Sequence, residues 1–187
     1  MKPGARADPE AFASRALEFR ELVADASSLI VLAEIGLLAS ALARWRLTTT
    51  AKVAAELRAG ERGENRAADG QPDTGDPFGA VRVAEGQESR ALGADGKPLS
   101  ADAGLVSLAS RLGLPVLSED GRVLRAAEDR GLDCLDSLVV VELLSAAGSI
   151  TGEQAEAGRR LIRARSVVSP ARAAWSEAVG LAAEKFG

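Results

Sequence analysis

The chain predicts an α/β fold, a three-layer α/β/α sandwich around a central, mainly parallel sheet. Two observations carry this expectation. Short apolar strands alternate with helical segments along the chain, and strands buried on both faces of a parallel sheet read as brief continuous apolar runs. Glycines, prolines and small polar caps also fall where those segments should start and stop.

The elements follow in order. Residues 8–20 are expected to form an amphipathic helix, with Phe12, Leu17 and Phe19 among charges and Pro9 suited to its first turn. Residues 22–25 read as a short strand ending in Asp25. Ser27 is placed to cap one long helix over about 28–44, too densely apolar for a solvent-facing surface even though it contains Glu34 and Gly36. The threonine-rich residues 46–50 read as a second strand, followed by a short helix over 51–58 that carries Glu56. From 59 to 98 the composition turns to Gly, Asp, Glu, Arg and Pro, broken only by a strand-like stretch at 80–84, which predicts a loop-rich insertion. A helix over 100–112 is closed by Gly113 and Pro115, and a strand at 115–118 leads to Asp120. A helix over 122–130, a strand at 132–135 and a helix capped by Asp136 or Ser137 complete the alternation. Thr151 with Gln154 makes a capping box, and Ser169-Pro170 opens the last helix. The expected organisation is an N-terminal helical extension (1–20), a central α/β domain (21–168) with the insertion at about 59–98, and a C-terminal helix (169–187) packed on that domain.

Composition removes several chemistries. The 187 residues include no histidine and no tyrosine, and the single cysteine is Cys134. Serine–histidine and cysteine–histidine nucleophilic catalysis, a histidine general base and histidine-ligated zinc are excluded, and no intramolecular disulfide can form. Cys134, on an apolar strand, is expected in the core. The first twenty residues lack an uninterrupted apolar run with a cleavage site, and the longest apolar stretch falls short of the roughly 20 residues a bilayer crossing needs. A cytoplasmic protein with no membrane partner is expected. Carboxylates must carry any catalysis, either as ligands of Mg²⁺ or Mn²⁺ or as a glycosidase pair.

In a parallel sheet, ligand sites lie at the carboxyl ends of the strands. Asp25 and Asp120 are expected at two such ends, while Glu56 and Asp102 are on helices that border the same edge. Converging carboxylates repel, so a set of four implies a hard divalent cation that neutralises them. Each acid also has an ordinary reading: Asp25 and Asp120 as helix caps, Glu56 and Asp102 as solvated helix charges.

These residues resemble the PIN-domain nucleases. Leu22-Val23-Ala24-Asp25-Ala26-Ser27-Ser28 is similar to their opening strand and acid, and Val53-Ala54-Ala55-Glu56-Leu57 to the helix bearing the second acid. Leu99-Ser100-Ala101-Asp102, leading through the helix to Leu114-Pro115-Val116-Leu117-Ser118-Glu119-Asp120, is similar to their acid-bearing helix and hydroxyl-x-Asp segment. The resemblance spans about residues 21–165. It implies Mg²⁺- or Mn²⁺-dependent hydrolysis of RNA phosphodiesters, often by the toxin of a toxin–antitoxin pair, so that RNA, an antitoxin protein and a second copy of the chain become expected partners. Carried over by position, Asp25, Glu56, Asp102 and Asp120 would be the metal-site acids, with Ser27 and Ser118 orienting carboxylates or water, and Glu119 the substitute if the fourth acid is displaced by one. The chain departs from the pattern between Glu56 and Asp102, where two clear helices are missing.

The net charge of −4 disfavours tight nonspecific nucleic-acid binding. Arg159, Arg160, Arg163 and Arg165 on one helix, with Arg172 nearby, are the candidate RNA contacts, against an ordinary solvated face. The strongly apolar residues 138–144 suggest either a dimer surface or a helix covering the sheet. Trp45 and Trp175 read as packing or interface anchors rather than base-stacking platforms. A non-catalytic PIN-like module that binds RNA or protein is the competing function. A phosphate-receiving regulator or phosphatase ranks behind it, because Asp25 has no adjacent second acid and no phosphate-binding glycine loop is present.

Overall fold

In the computed structural model, residues 8–64, 76–84, 100–165 and 168–186 are described. Most of the expected insertion at about 59–98 lies outside the described residues.

The chain is α/β, with a five-stranded sheet at its centre. Strands β1 (Glu21–Ala24), β2 (Arg46–Thr49), β3 (Arg82–Val83), β4 (Val116–Leu117) and β5 (Cys134–Leu135) are short and lie in the order β3-β2-β1-β4-β5. Every pairing is parallel, with Val23 opposite both Thr48 and Val116. β1 is the middle strand, which explains its unbroken apolar run: Leu22, Val23 and Ala24 are fully buried. From β1 the chain builds outward through β2 and β3, then returns to the other side of β1 to lay down β4 and β5. The direction of winding therefore reverses between β1 and β4. In parallel sheets such a reversal usually sends the connecting helices to opposite faces and leaves a crevice at the carboxyl ends of the two strands.

Helix α1 (Pro9–Glu18) precedes the sheet, and Asp8 caps it. The single long helix expected over 28–44 is two helices, α2 (Ala26–Glu34) and α3 (Leu38–Arg44), bent by 117°. The break is a Schellman closure at Gly36, whose φ of +72° is left-handed. Gly36 N–H donates to Ala33 O at 3.0 Å and Leu37 N–H to Leu32 O at 2.8 Å, terminating α2. Of the two candidate caps, Asp25 and not Ser27 accepts the first-turn N–H of α2. Helix α4 (Ala51–Glu64) runs past the end expected at 58.

The second half follows its punctuation closely. α5 (Ala101–Leu112) is capped by Ser100 and ends at Gly113 in the left-handed region. α6 (Gly121–Glu128) follows β4, and α7 (Ser137–Ala146) follows β5 under an Asp136 cap. The Thr151–Gln154 capping box forms in both directions at the start of α8 (Gly152–Arg165). Ser169 and Pro170 open α9 (Pro170–Ala183).

Helices α5 and α6 pack together, while α7 lies against α2, α3, α8 and α9. Every residue of α7 from Ser137 to Leu144 is buried, so this helix has no free apolar face for a second copy. Helix α1 packs on α9, with Phe12 and Trp175 ring centroids 5.7 Å apart, so the N-terminal helix shares the main core. Trp45 is buried beneath the Arg44 guanidinium, whose carbon is 5.3 Å from the ring centroid. Among the described residues, no single helix is long and apolar enough to cross a membrane.

Candidate active site

The crevice between β1 and β4 is a cleft of about 200 Å³, lined by Asp25 and Ser27 after β1, Glu56 on α4, Asp102 on α5 and Asp120 after β4. Val53 and Leu105 supply apolar wall. Organic ligands usually occupy pockets of about 300–1,000 Å³, so this one is small. Its scale suits a hydrated ion and a phosphate.

Asp25 is the most firmly held acid. Its carboxylate accepts from Ser28 N–H at 2.8 Å and Ser28 Oγ at 2.6 Å. Ser27 Oγ lies 3.0 and 3.1 Å from its two oxygens, and Ser118 Oγ donates to Oδ2. These contacts arise locally: Asp25 N–H is tied to Leu117 O at 3.1 Å in the ladder with β4, and the turn into α2 presents an N–H and two hydroxyls to the cap. Ser28 is fully buried and was not singled out from the sequence; an Asp followed three positions later by Ser at a strand-to-helix turn is the signal that identifies it. Ser118, equally buried, joins the two strand ends. It donates to Asp25 and accepts the Asp120 N–H at 3.1 Å.

Asp120 caps α6, accepting Arg122 N–H at 2.7 Å. It also meets the Arg122 guanidinium, with Nη2 at 2.8 Å and Nε at 3.3 and 3.4 Å from its oxygens. These bonds hold the Asp120 carboxyl below the usual carboxylate range. The Asp120 and Asp102 charges both favour the charged form of the Arg122 guanidinium. Glu56 and Asp102 themselves are exposed.

The four acids thus border one cleft without forming a compact cage. Among the described residues, no three His, Cys, Asp or Glu side chains are close enough together to hold one metal ion. The donor set nevertheless fits a hard cation: it is made of carboxylate and hydroxyl oxygens, with no imidazole or thiol. Mg²⁺ in particular is commonly held by one or two carboxylates and several waters, which does not require three acids in mutual contact.

Glu119, the substitute for Asp120, faces away from the cleft. Its Oε1 accepts from Ser137 N–H at 2.8 Å and Ser137 Oγ at 2.6 Å, and its Oε2 accepts from Arg172 Nη2 at 2.5 Å. Arg172 Nε also meets Asp136 at 2.6 Å. Burial opposes the Arg172 charge, but Asp136 and Glu119 outweigh it and raise the guanidinium's pKa; burial pushes the Asp136 carboxyl up. The helix-α8 arginines are also partly committed. Arg159 grips both oxygens of Glu142 at 2.7 Å, and Arg165 pairs with Glu34. Arg160 and Arg163 are exposed and have no ion-pair partner among the described residues. Compared with protein-family models, curated proteins and solved structures, the chain finds no match.

Proposed function

We propose that this cleft is the divalent-metal site of a PIN-type ribonuclease that acts in the cytoplasm and hydrolyses RNA phosphodiester bonds. One observation carries the reading: four acids from four separate elements, Asp25, Glu56, Asp102 and Asp120, line one small cleft where the winding of the sheet reverses. Asp25 and Asp120 would hold Mg²⁺ or Mn²⁺ directly, with Glu56 and Asp102 completing the shell through water. When bound, the cation supplies Lewis acidity that activates water and offsets charge on the phosphoryl oxygens. The protein's own part is orientation. Ser27, Ser28 and Ser118 fix the Asp25 carboxylate, and Ser118 also holds the Asp120 backbone, so the two acids keep a constant relation. No histidine is required.

A second reading is a non-catalytic PIN-like module that binds RNA or a protein such as an antitoxin. The commitment of Asp120 to Arg122 and the absence of a compact three-acid group among the described residues favour it. Incubation of a mixed RNA pool with wild type and an Asp25→Asn/Asp120→Asn double variant, with Mg²⁺ or EDTA, separates the two. The nuclease reading expects cleavage by wild type with Mg²⁺ alone; RNA left intact by wild type with Mg²⁺ and Mn²⁺ contradicts it.

A further inference from the structure

Arg122 has no role in the resemblance and none in the proposed cation shell. It is the one cation bonded to a cleft acid among the described residues, and its position is specific. Its backbone N–H and its guanidinium both bond Asp120, and the Asp102 carboxylate across the cleft acts on the same group. The side chain is 78% exposed and that of Asp120 34%, so the pair is solvated and easily opened. In this it differs from the arginines that lock buried acids elsewhere in the fold.

A divalent cation at Asp120 would meet Arg122 as a competitor, because one carboxylate cannot satisfy a guanidinium fork and a metal ion at full strength. Electrostatics favours the doubly charged ion in a cleft of four acids. The displaced guanidinium would still stay at the rim, because Arg122 belongs to the first turn of α6, which directly follows Asp120. A planar, permanently charged fork with five donors at that position matches the oxygens of a phosphate group.

We propose that Arg122 is the cleft's phosphate-binding residue, held on Asp120 until a divalent cation takes that carboxylate. This rests on the reading of the cleft as a cation site. The ion pair keeps the acids partly neutralised without metal, and cation binding frees the group that then contacts the substrate phosphate.

The test uses the full-length protein as wild type, Arg122→Gln and Arg122→Lys, titrated calorimetrically with Mg²⁺ and then, at saturating Mg²⁺, with inorganic phosphate. Removing the competitor is expected to tighten Mg²⁺ binding about two- to five-fold in Arg122→Gln, the range that loss of one exposed ion pair allows. Phosphate binding is expected to weaken in the same variant. Lysine separates contact from field: it keeps the charge but loses the fork, so Mg²⁺ binding tighter than wild type is the expected result, whereas a pure field effect leaves it equal to wild type. Unchanged or weaker Mg²⁺ affinity in Arg122→Gln, or unchanged phosphate affinity, overturns the proposal while leaving the cation site standing. Absence of Mg²⁺ binding in all three proteins overturns the cation site and the proposal together.

Discussion

Glu119 and Asp120 are adjacent in the chain and end in opposite environments. Glu119 points beneath α9, where Ser137 and Arg172 satisfy both its oxygens and where Arg172 also meets Asp136. The side chains of Glu119, Asp136 and Arg172 are 12%, 7% and 15% exposed. Asp120 points into the open cleft, where its partner Arg122 is largely in water. The protein therefore holds two acid clusters side by side at the carboxyl end of one sheet. One is closed by a buried guanidinium and binds the last helix to the sheet; the other has, among the described residues, too few cations to neutralise it. A carboxylate whose charge is already balanced in the interior is structural, while a group of acids left short of counter-ions at a sheet switch point is available to a ligand.

Breaking the closed cluster should have the largest effect. Arg172→Met leaves Glu119 and Asp136 buried without their cation, and a loss of about 3–5 kcal/mol is expected from urea denaturation. A loss below about 1 kcal/mol would mean that water already reaches this cluster. Next is the neighbouring buried pair. A Cβ at Gly180 would lie 2.8 Å from Glu142 Oε2 and 3.1 Å from Glu142 Cβ, and Arg159 bonds both oxygens of that carboxylate. Gly180→Ala should therefore destabilise the protein by about 1–3 kcal/mol in the same assay, through overpacking against a side chain that cannot swing away.

Cys134 gives a pH test of the same sheet edge. Burial, reinforced by Glu128 and Asp133, pushes its thiol up to about 12. The unfolded thiol titrates near 9, so the folded state retains the proton more strongly; the resulting stability is fully present below that value and is lost as pH rises toward about 12. Wild type should lose about 1.4 kcal/mol per pH unit more than Cys134→Ala across this window, measured by denaturant unfolding at each pH. Parallel curves for the two proteins would place Cys134 in water. The smallest effect belongs to the open cluster: Arg122→Gln should leave the urea midpoint where it is, and a clear shift would remove the distinction between the two clusters.

Much of this arrangement is legible in the sequence because its causes are local. The apolar runs of β1 and β4, the closing Gly113, the Thr151–Gln154 box and the Ser169-Pro170 start each depend on neighbours within a few residues. Acids just beyond apolar strands mark the sheet edge for the same reason. The break after α2 was local too, but the density of apolar residues from 28 to 44 outweighed the signal of Gly36 followed by Leu37. Counter-ions are different. Arg172 and Glu119 are separated by 53 positions, and nothing near either announces the other. The arginines of α8 looked like one basic face, yet Arg159 and Arg165 are committed to Glu142 and Glu34 on other helices. Which charges are spare is a tertiary property.

Calorimetric titration of Mn²⁺ into wild type, Asp25→Asn and Glu119→Gln asks whether the open cleft, and not the closed cluster, takes the cation. Asn can replace Asp as the cap of α2, so the fold is expected to survive that change while the anionic ligand is lost. Saturable binding is expected in wild type and Glu119→Gln, and none in Asp25→Asn. Equal binding in all three proteins, or none in wild type, would contradict the open cleft as the cation site.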